Sequence, residues 1–204
     1  MSNNSYDKDF WNQRYDSENY VYGVNPNEFL IENIKQIRPC GRVLCLSEGE
    51  GRNAVFLAKK GFDVTCIDIS EIAKEKALKL ASLNSVKINY LNLDLNNFEF
   101  KSNSWDAIIS IFAHTKQNLR QKILKCIKES LVAEGLFILE GYNLDQLNYN
   151  SGGPKDIQMF FDKTELENYF FDFKILITKN IIRMISEGDG HNGNSSVVQF
   201  IARK

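Results

Sequence analysis

Arg42-Val43-Leu44-Cys45-Leu46-Ser47-Glu48-Gly49-Glu50-Gly51-Arg52-Asn53 is the stretch that decides the fold. Val43 to Leu46 reads as a short apolar strand, and it runs straight into a turn with two glycines. Ala54-Val55-Phe56-Leu57-Ala58 follows with a helical pattern. Glycine stands where backbone must bend sharply or approach a ligand closely, because it has no Cβ to collide. A strand, a Gly-x-Gly turn and a helix in that order form a nucleotide-sized ligand site at the C-terminal end of a parallel strand.

The next landmark lies downstream. Phe62-Asp63-Val64-Thr65-Cys66-Ile67-Asp68 reads as a second strand ending in an acid, 19 residues after Gly49. At the tip of a second parallel strand, Asp68 is placed to accept hydrogen bonds from both hydroxyls of a ribose. Asp68-Ile69-Ser70 also suits the start of a helix, since Asp and Ser are favoured N-caps. Coupled to the glycine turn, the ribose reading is the stronger, and Ile69 and Ser70 join the candidate cofactor contacts.

Two cofactor classes fit this pair of motifs. Gly49-Glu50-Gly51-Arg52-Asn53-Ala54 satisfies the dinucleotide pattern G-x-G-x-x-G/A. A single-domain dehydrogenase of the short-chain type wants Tyr-x-x-x-Lys, and none of the eight tyrosines has Lys four residues on. A 204-residue chain leaves little room for a separate substrate domain. Glu48 and Glu50 also put two negative charges where a pyrophosphate would meet a helix N-terminus. Carboxylates there favour a cationic ligand, such as the sulfonium and ammonium of S-adenosylmethionine.

With these residues the chain resembles the class I S-adenosylmethionine-dependent methyltransferases, in their small branch of tellurite-resistance and thiopurine methyltransferase-like proteins. The resemblance runs in order along nearly the whole chain. Phe10-Trp11-Asn12-Gln13-Arg14-Tyr15, then Tyr20-Val21-Tyr22-Gly23 and Pro26-Asn27-Glu28-Phe29-Leu30, look like that branch's N-terminal lid. Leu44 to Asn53 looks like its cofactor loop. Ser110-Ile111-Phe112-Ala113-His114 resembles the end of the fourth strand, and Leu136-Phe137-Ile138-Leu139-Glu140 the fifth. Gly152-Gly153-Pro154 and Glu187-Gly188 with His191 look like two C-terminal loops. Two departures stand out. Cys45 and Ser47 occupy positions where the family usually carries an acid and a glycine, so Glu48 or a backbone carbonyl inherits the donor's ammonium. Asn192 follows His191 where tellurite-resistance relatives carry Arg, so the cation that would hold an oxyanion is missing at that position.

The coarse pattern alternates after a helical preface. Helices are predicted near 8–17, 26–37, 52–60, 70–84, 116–131 and 163–169, and strands near 42–46, 63–67, 87–91, 106–112, 135–141, 171–178 and 195–202. Alternation of this kind implies an α/β fold with a parallel sheet covered on both faces. The expected fold class is a Rossmann-like, seven-stranded, mostly parallel sheet with helices on both faces and an antiparallel C-terminal hairpin. An irregular stretch is expected between the last two strands. The chain reads as one methyltransferase domain over 1–204: an N-terminal helical lid over 1–40, a cofactor-binding core over 41–141, and substrate-side loops with the hairpin over 142–204.

Composition points to a cytoplasmic enzyme. Net charge −1, with acids and bases interspersed, gives no electrostatic case for nucleic acid or an anionic membrane. No apolar run approaches the roughly 20 residues of a membrane span. Met1 to Asp9 is polar, without a signal-peptide pattern, and is expected to be mobile. Cys40, Cys45, Cys66 and Cys126 lack metal or disulfide spacing, so no metal is called for. Cys45 and Cys66, in strands, read as small buried hydrophobes.

The remaining site candidates follow from position. Asp94, after the third strand, is placed to accept from an adenine amino group, with Leu95 against the ring. Ile111 and Phe112 end the fourth strand at the ligand crevice and supply an apolar wall. His114 and His191 are the only histidines, both expected on the active-site rim. With an ordinary pKa near ~6.5, either is a candidate base for an acceptor. Arg14 is a candidate for the donor carboxylate, and Tyr22 for the lid over the donor. The expected partners are a small-molecule methyl acceptor, such as a thiol or chalcogen compound, with neither nucleic acid nor membrane, in a monomer or homodimer. The Asn-Pro-Pro-aromatic motif of amino-directed DNA methyltransferases is absent after the fourth strand. The rival readings are a non-catalytic sensor of S-adenosylmethionine or S-adenosylhomocysteine and an NAD(P)-dependent oxidoreductase.

Overall fold

The computed structural model describes residues 6–204. One seven-stranded sheet runs in the order β3-β2-β1-β4-β5-β7-β6. Its strands are β1 (Arg42–Leu46), β2 (Asp63–Asp68), β3 (Asn89–Asn92), β4 (Trp105–Ile111), β5 (Leu131–Tyr142), β6 (Lys174–Glu187) and β7 (His191–Arg203). The first five pair in parallel and β7 lies antiparallel between β5 and β6. The expected α/β class, mostly parallel sheet and antiparallel C-terminal hairpin are therefore present. Strand order reverses between β1 and β4, and this is where a ligand crevice opens in such sheets.

Helices cover both faces. α2 (Glu28–Asn33), α3 (Arg52–Lys59) and α4 (Glu71–Leu83) lie on one side, and α5 (Gln117–Ser130) and α6 (Lys163–Tyr169) on the other. Side chains alternate along each strand, so β1 sends Val43 and Cys45 to one core and Leu44 and Leu46 to the other. Leu30, Leu57 and Ala77 meet the first set; Ile123, Leu124, Ile127 and Phe170 meet the second. Cys45 and Cys66 face each other across β1 and β2 as free, fully buried thiols. Among the described residues no helix is long and apolar enough to cross a membrane.

Three expectations are corrected. The irregular stretch between the last strands is strand: β6 runs on to Glu187, β7 resumes at His191, and only Gly188-Asp189-Gly190 turns between them. The start of β7, His191-Asn192-Gly193-Asn194-Ser195-Ser196, carries no apolar residue, so the strand has no hydrophobic alternation to mark it. The second helix is shorter than 26–37: α2 ends at Asn33 and a single 3₁₀ turn carries the chain to Gln36. The mobile N-terminus expected over 1–9 lies outside the described residues up to residue 5. From there on it is packed, with Asp7 capping α1 (Lys8–Tyr15) and Tyr6 edge-on to Phe10 at 4.9 Å.

Candidate active site

The glycine turn is built by left-handed backbone. Ser47, Gly49 and Gly51 have φ of +47°, +61° and +88°. Ser47 thus adopts the conformation that glycine takes without strain. The turn is stitched to its neighbours at both ends: Gly49 N–H donates to Asp68 Oδ2 at 2.9 Å, and the Tyr90 hydroxyl donates to the Gly49 carbonyl at 2.6 Å. A Cβ on Gly49 would lie 2.7 Å from the Tyr15 hydroxyl, and one on Gly51 would lie 2.7 Å from the Ala77 Cβ. The first glycine therefore admits the lid and the second admits α4.

Two carboxylates, Glu48 in this turn and Asp68 at the end of β2 beside it, have little electrostatic relief. Glu48 Oε1 accepts from Ala54 N–H at 2.7 Å, in the first turn of α3, where helix N–H groups lack partners. Asp68 accepts from Gly49 N–H and from Ser70 N–H, each at 2.9 Å. No ion pair among the described residues engages either acid. Burial pushes the Glu48 carboxyl up to about 7, despite the Ala54 hydrogen bond and the field of Arg52. It pushes Asp68 up to about 6, against the backbone bonds from Ser70 and Gly49. Desolvated carboxylates lining a cavity without a cation of their own fit the ammonium and ribose hydroxyls of an S-adenosyl amino acid. Glu50 differs, because Lys76 pairs with it at 2.5 Å.

Above the turn lies an aromatic cover. α1 brings Trp11 onto Tyr15, stacked at 5.7 Å, and Tyr15 onto Tyr22 edge-on at 6.1 Å. The Arg14 guanidinium sits 5.9 Å over the Tyr22 ring. Together with the strand ends these residues enclose a cavity of about 1110 Å³. It reaches from the glycine turn to the β6–β7 turn, spacious enough for a nucleoside amino acid with a small partner.

The far end of the cavity centres on His191, the first residue of β7. Its ring lies 4.4 Å from both Tyr22 and Phe112, and Tyr142 meets it edge-on at 5.4 Å. Phe112 reaches it from a strained position, with φ +53°, an outlier for a bulky residue. Phe112 N–H donates to the Glu140 carbonyl at 2.7 Å, which holds the strained turn at the end of β4. His191 Nδ1 faces Glu187 Oε2 at 3.6 Å, and Arg52 donates to that same oxygen at 2.6 Å. Burial holds the imidazole below its ordinary pKa, partly opposed by Glu187, so the ring is neutral at pH 7. Nδ1 is directed at Glu187, which leaves Nε2 for the cavity.

A buried polar lattice supports this end. Asn27 Nδ2 donates to Glu140 Oε1 at 2.7 Å and to Glu187 Oε1 at 2.9 Å. Arg183 donates to both Glu140 oxygens, and Gln199 donates to Oε2. Asn27 also caps α2, so one side chain ties the lid's second anchor to β5 and β6. His114 is committed elsewhere. Its Nδ1 donates to the Met159 carbonyl at 2.9 Å and its Nε2 accepts from Tyr142 N–H at 3.2 Å. Burial lowers its pKa to about 4.

The sequence candidates gather with three exceptions. Arg14, Tyr22, Glu48, Glu50, Arg52, Asn53, Asp68, Ile69, Asp94, Leu95, Ile111, Phe112, His114 and His191 all line the cavity. Gly49 and Gly51 shape the turn beneath it, and Ser70 caps α4 while donating to Asn12 Oδ1 at 2.7 Å. Asp94 also caps a 3₁₀ turn through Asn96 N–H at 2.8 Å. Tyr142 and Met159 line the site without having been singled out. Nothing in the spacing of either residue marks it, because Tyr142 ends β5 and Met159 lies in the segment after it, whose path is set by long-range contacts. Among the described residues no cluster of three or more His, Cys, Asp or Glu is arranged to hold a metal.

Comparison with known proteins bears on this geometry. A family model described as a methyltransferase domain matches residues 43–135. The chain is 26% identical over 181 residues to the probable S-adenosyl-L-methionine-dependent methyltransferase TehB of Haemophilus influenzae, covering 86% of this chain and 61% of that protein. It is 32% identical over 152 residues to a ubiquinone biosynthesis O-methyltransferase of Rickettsia akari, covering 70% and 59%. The crystal structure of TehB from Haemophilus influenzae superposes with a TM-score of 0.71 at 21% identity, over 97% of this chain and 66% of that one. The chain thus spans about three fifths of the length of these curated relatives.

Proposed function

We propose that this chain, which belongs to the class I S-adenosyl-L-methionine-dependent methyltransferases of the tellurite-resistance-like branch, transfers a methyl group from S-adenosyl-L-methionine to a small-molecule acceptor. The observation that carries the reading is the pair of desolvated carboxylates, Glu48 and Asp68, beneath an aromatic lid and without a cation of their own. A pyrophosphate would meet repulsion there; an ammonium and a ribose would be held.

When bound, the donor's sulfonium supplies an activated methyl and a neutral thioether leaving group. Glu48 holds the ammonium end and Arg14 the carboxylate. Asp68 takes the ribose hydroxyls, while Asp94, Leu95 and Ile69 take the adenine. Ile111 and Phe112 form the wall beside the reacting centre. Trp11, Tyr15 and Tyr22 close over it and exclude water, so alignment supplies most of the rate. His191 serves as base for an acceptor that must lose a proton, oriented by Glu187 and Arg52. With both ring nitrogens bound to backbone, His114 contributes shape. A thiol or chalcogen acceptor would place the smallest demand on His191.

Calorimetric titration with S-adenosylmethionine, S-adenosylhomocysteine and NAD tests the donor. Turnover to S-adenosylhomocysteine with thiols, selenite and small amines tests the reaction. Binding of NAD without binding of either S-adenosyl compound would refute the proposal. Donor binding without turnover on any acceptor would favour a sensor.

A further inference from the structure

We propose that Lys76 is a positioning residue that latches the N-terminal lid over the donor end of the cavity. Lys76 lies on α4, outside the cavity wall, yet five groups from two segments converge on it. Its ammonium donates to the carbonyls of Tyr15, Ser17 and Asn19 at 3.2, 2.9 and 2.7 Å. It pairs with Glu50 of the glycine turn at 2.5 Å and lies 5.1 Å over the Tyr20 ring. The Tyr20 hydroxyl returns a hydrogen bond to the Lys76 carbonyl at 3.0 Å.

The loop over 15–19 is thus folded around a cation, since three carbonyls aimed at one point would repel each other without one. The latch has a second arm. Glu50 Oε2 accepts from Tyr22 N–H at 3.4 Å, so the carboxylate that neutralises Lys76 also holds the far side of the lid. Lys76 therefore fixes where Tyr15 sits on Gly49 and where Tyr22 sits on His191. It also cancels the charge of Glu50, and this leaves Glu48 as the turn's carboxylate for the donor.

The consequence for donor binding rests on the function proposed above, but the latch can be read without any donor. In a Trp105→Phe background Trp11 is the single tryptophan. Lys76→Met is expected to shift its emission to the red and to speed proteolysis within residues 15–22. Lys76→Met is also expected to raise the donor's KM roughly tenfold or more, with kcat at saturating donor changed only a few-fold. Lys76→Ala leaves the oxygen cage open to a free cation. Ammonium or potassium chloride at about 0.1 M should recover several-fold of the loss, whereas tetramethylammonium chloride at equal ionic strength should not. Lys76→Met/Glu50→Gln removes the stranded carboxylate and should still leave the lid loose. Unchanged Trp11 emission and proteolysis in Lys76→Met would overturn the latch whatever the donor does. So would full restoration of the lid in the double variant. Failure of the unaltered protein to bind S-adenosylmethionine would instead overturn the functional reading.

Discussion

Glu48 on the wall of the cavity and Glu187 behind its His191 end are both desolvated glutamates, and their electrostatics are opposite. Burial lifts Glu48 to about 7. Burial also acts upward on Glu187, but the His191 imidazole 3.6 Å away and the charge and hydrogen bond of Arg52 outweigh it and hold that carboxyl well below the usual range. The end of the cavity at the glycine turn is therefore under-compensated and the end at His191 is neutralised within the protein. A group whose charge is already balanced serves as scaffold. A group left short of charge is shaped for something that arrives from solution.

Breaking the balanced side should have the largest effect. Arg52→Met leaves Glu187 with only the longer Arg183 pair at 3.5 Å and the Asn27 hydrogen bond, with an expected loss of about 2–4 kcal/mol in urea unfolding at pH 7. Arg52→Met/Glu187→Gln should regain much of it. A loss below about 1 kcal/mol for the single variant would show that Glu187 is not held by Arg52.

A pH series separates the two carboxylates next. Glu48 and Asp68 are raised on folding, from 4.5 to about 7 and from 3.8 to about 6. Their protonated forms are favoured in the native state, so this stability is full below pH ~4 and is lost as pH rises to ~7. Roughly 3 kcal/mol for each carboxylate, on the order of 6 kcal/mol for the two together, should disappear across that window in the ligand-free protein. Glu187 is lowered, so its contribution is present above pH ~4.5 and lost on further acidification. Glu48→Gln should flatten the upper limb alone, and Arg52→Met the lower one. A stability that rises steadily from pH 5 to 8 would contradict the assignment.

Glu48→Gln should also weaken S-adenosylmethionine binding by roughly tenfold to hundredfold at pH 7.5, by calorimetry, without destabilising the fold. Donor affinity in the unaltered protein should climb between pH 6 and 7.5 as Glu48 ionises. The smallest effect concerns the turns that carry the two acids. Glu187 is followed by Gly188 at φ +65°, whereas Glu48 is preceded by Ser47 at φ +47°. Ser47→Gly should relieve that strain and raise the unfolding free energy by about 1 kcal/mol. A loss of stability would mean that the Ser47 side chain makes a contribution its backbone conceals.

The fold was legible because β1, β2 and β4 are nearly unbroken apolar runs closed by turn residues, the pattern of strands buried on both faces. The donor end was legible for a related reason. Its residues lie within a few positions of the Gly49 turn or at strand tips. The acceptor end was harder. His191 was noticed because histidine is rare here, but its place as the first residue of a strand was hidden by the wholly polar and glycine-containing run from His191 to Ser196. Of the two histidines, spacing does not say which keeps a nitrogen for the cavity. His114 loses both to Met159 and Tyr142, which lie 45 and 28 residues away.

By itself the sequence determined the alternating architecture, the glycine turn, the charge placed in it and the aromatic preface before β1. These are local properties, carried by strand period, backbone freedom and the identity of adjacent side chains. The tertiary structure alone decided which charges are balanced. Lys76 reaches Glu50, Arg52 reaches Glu187 and Arg183 reaches Glu140 across separations that leave no trace in spacing. Whether a carboxylate is scaffold or receptor depends on the dielectric around it and on the cation within reach. The glycine turn fixes where the ligand lies; the packing of α4, β6 and the lid around it leaves Glu48 as its carboxylate without a counterion.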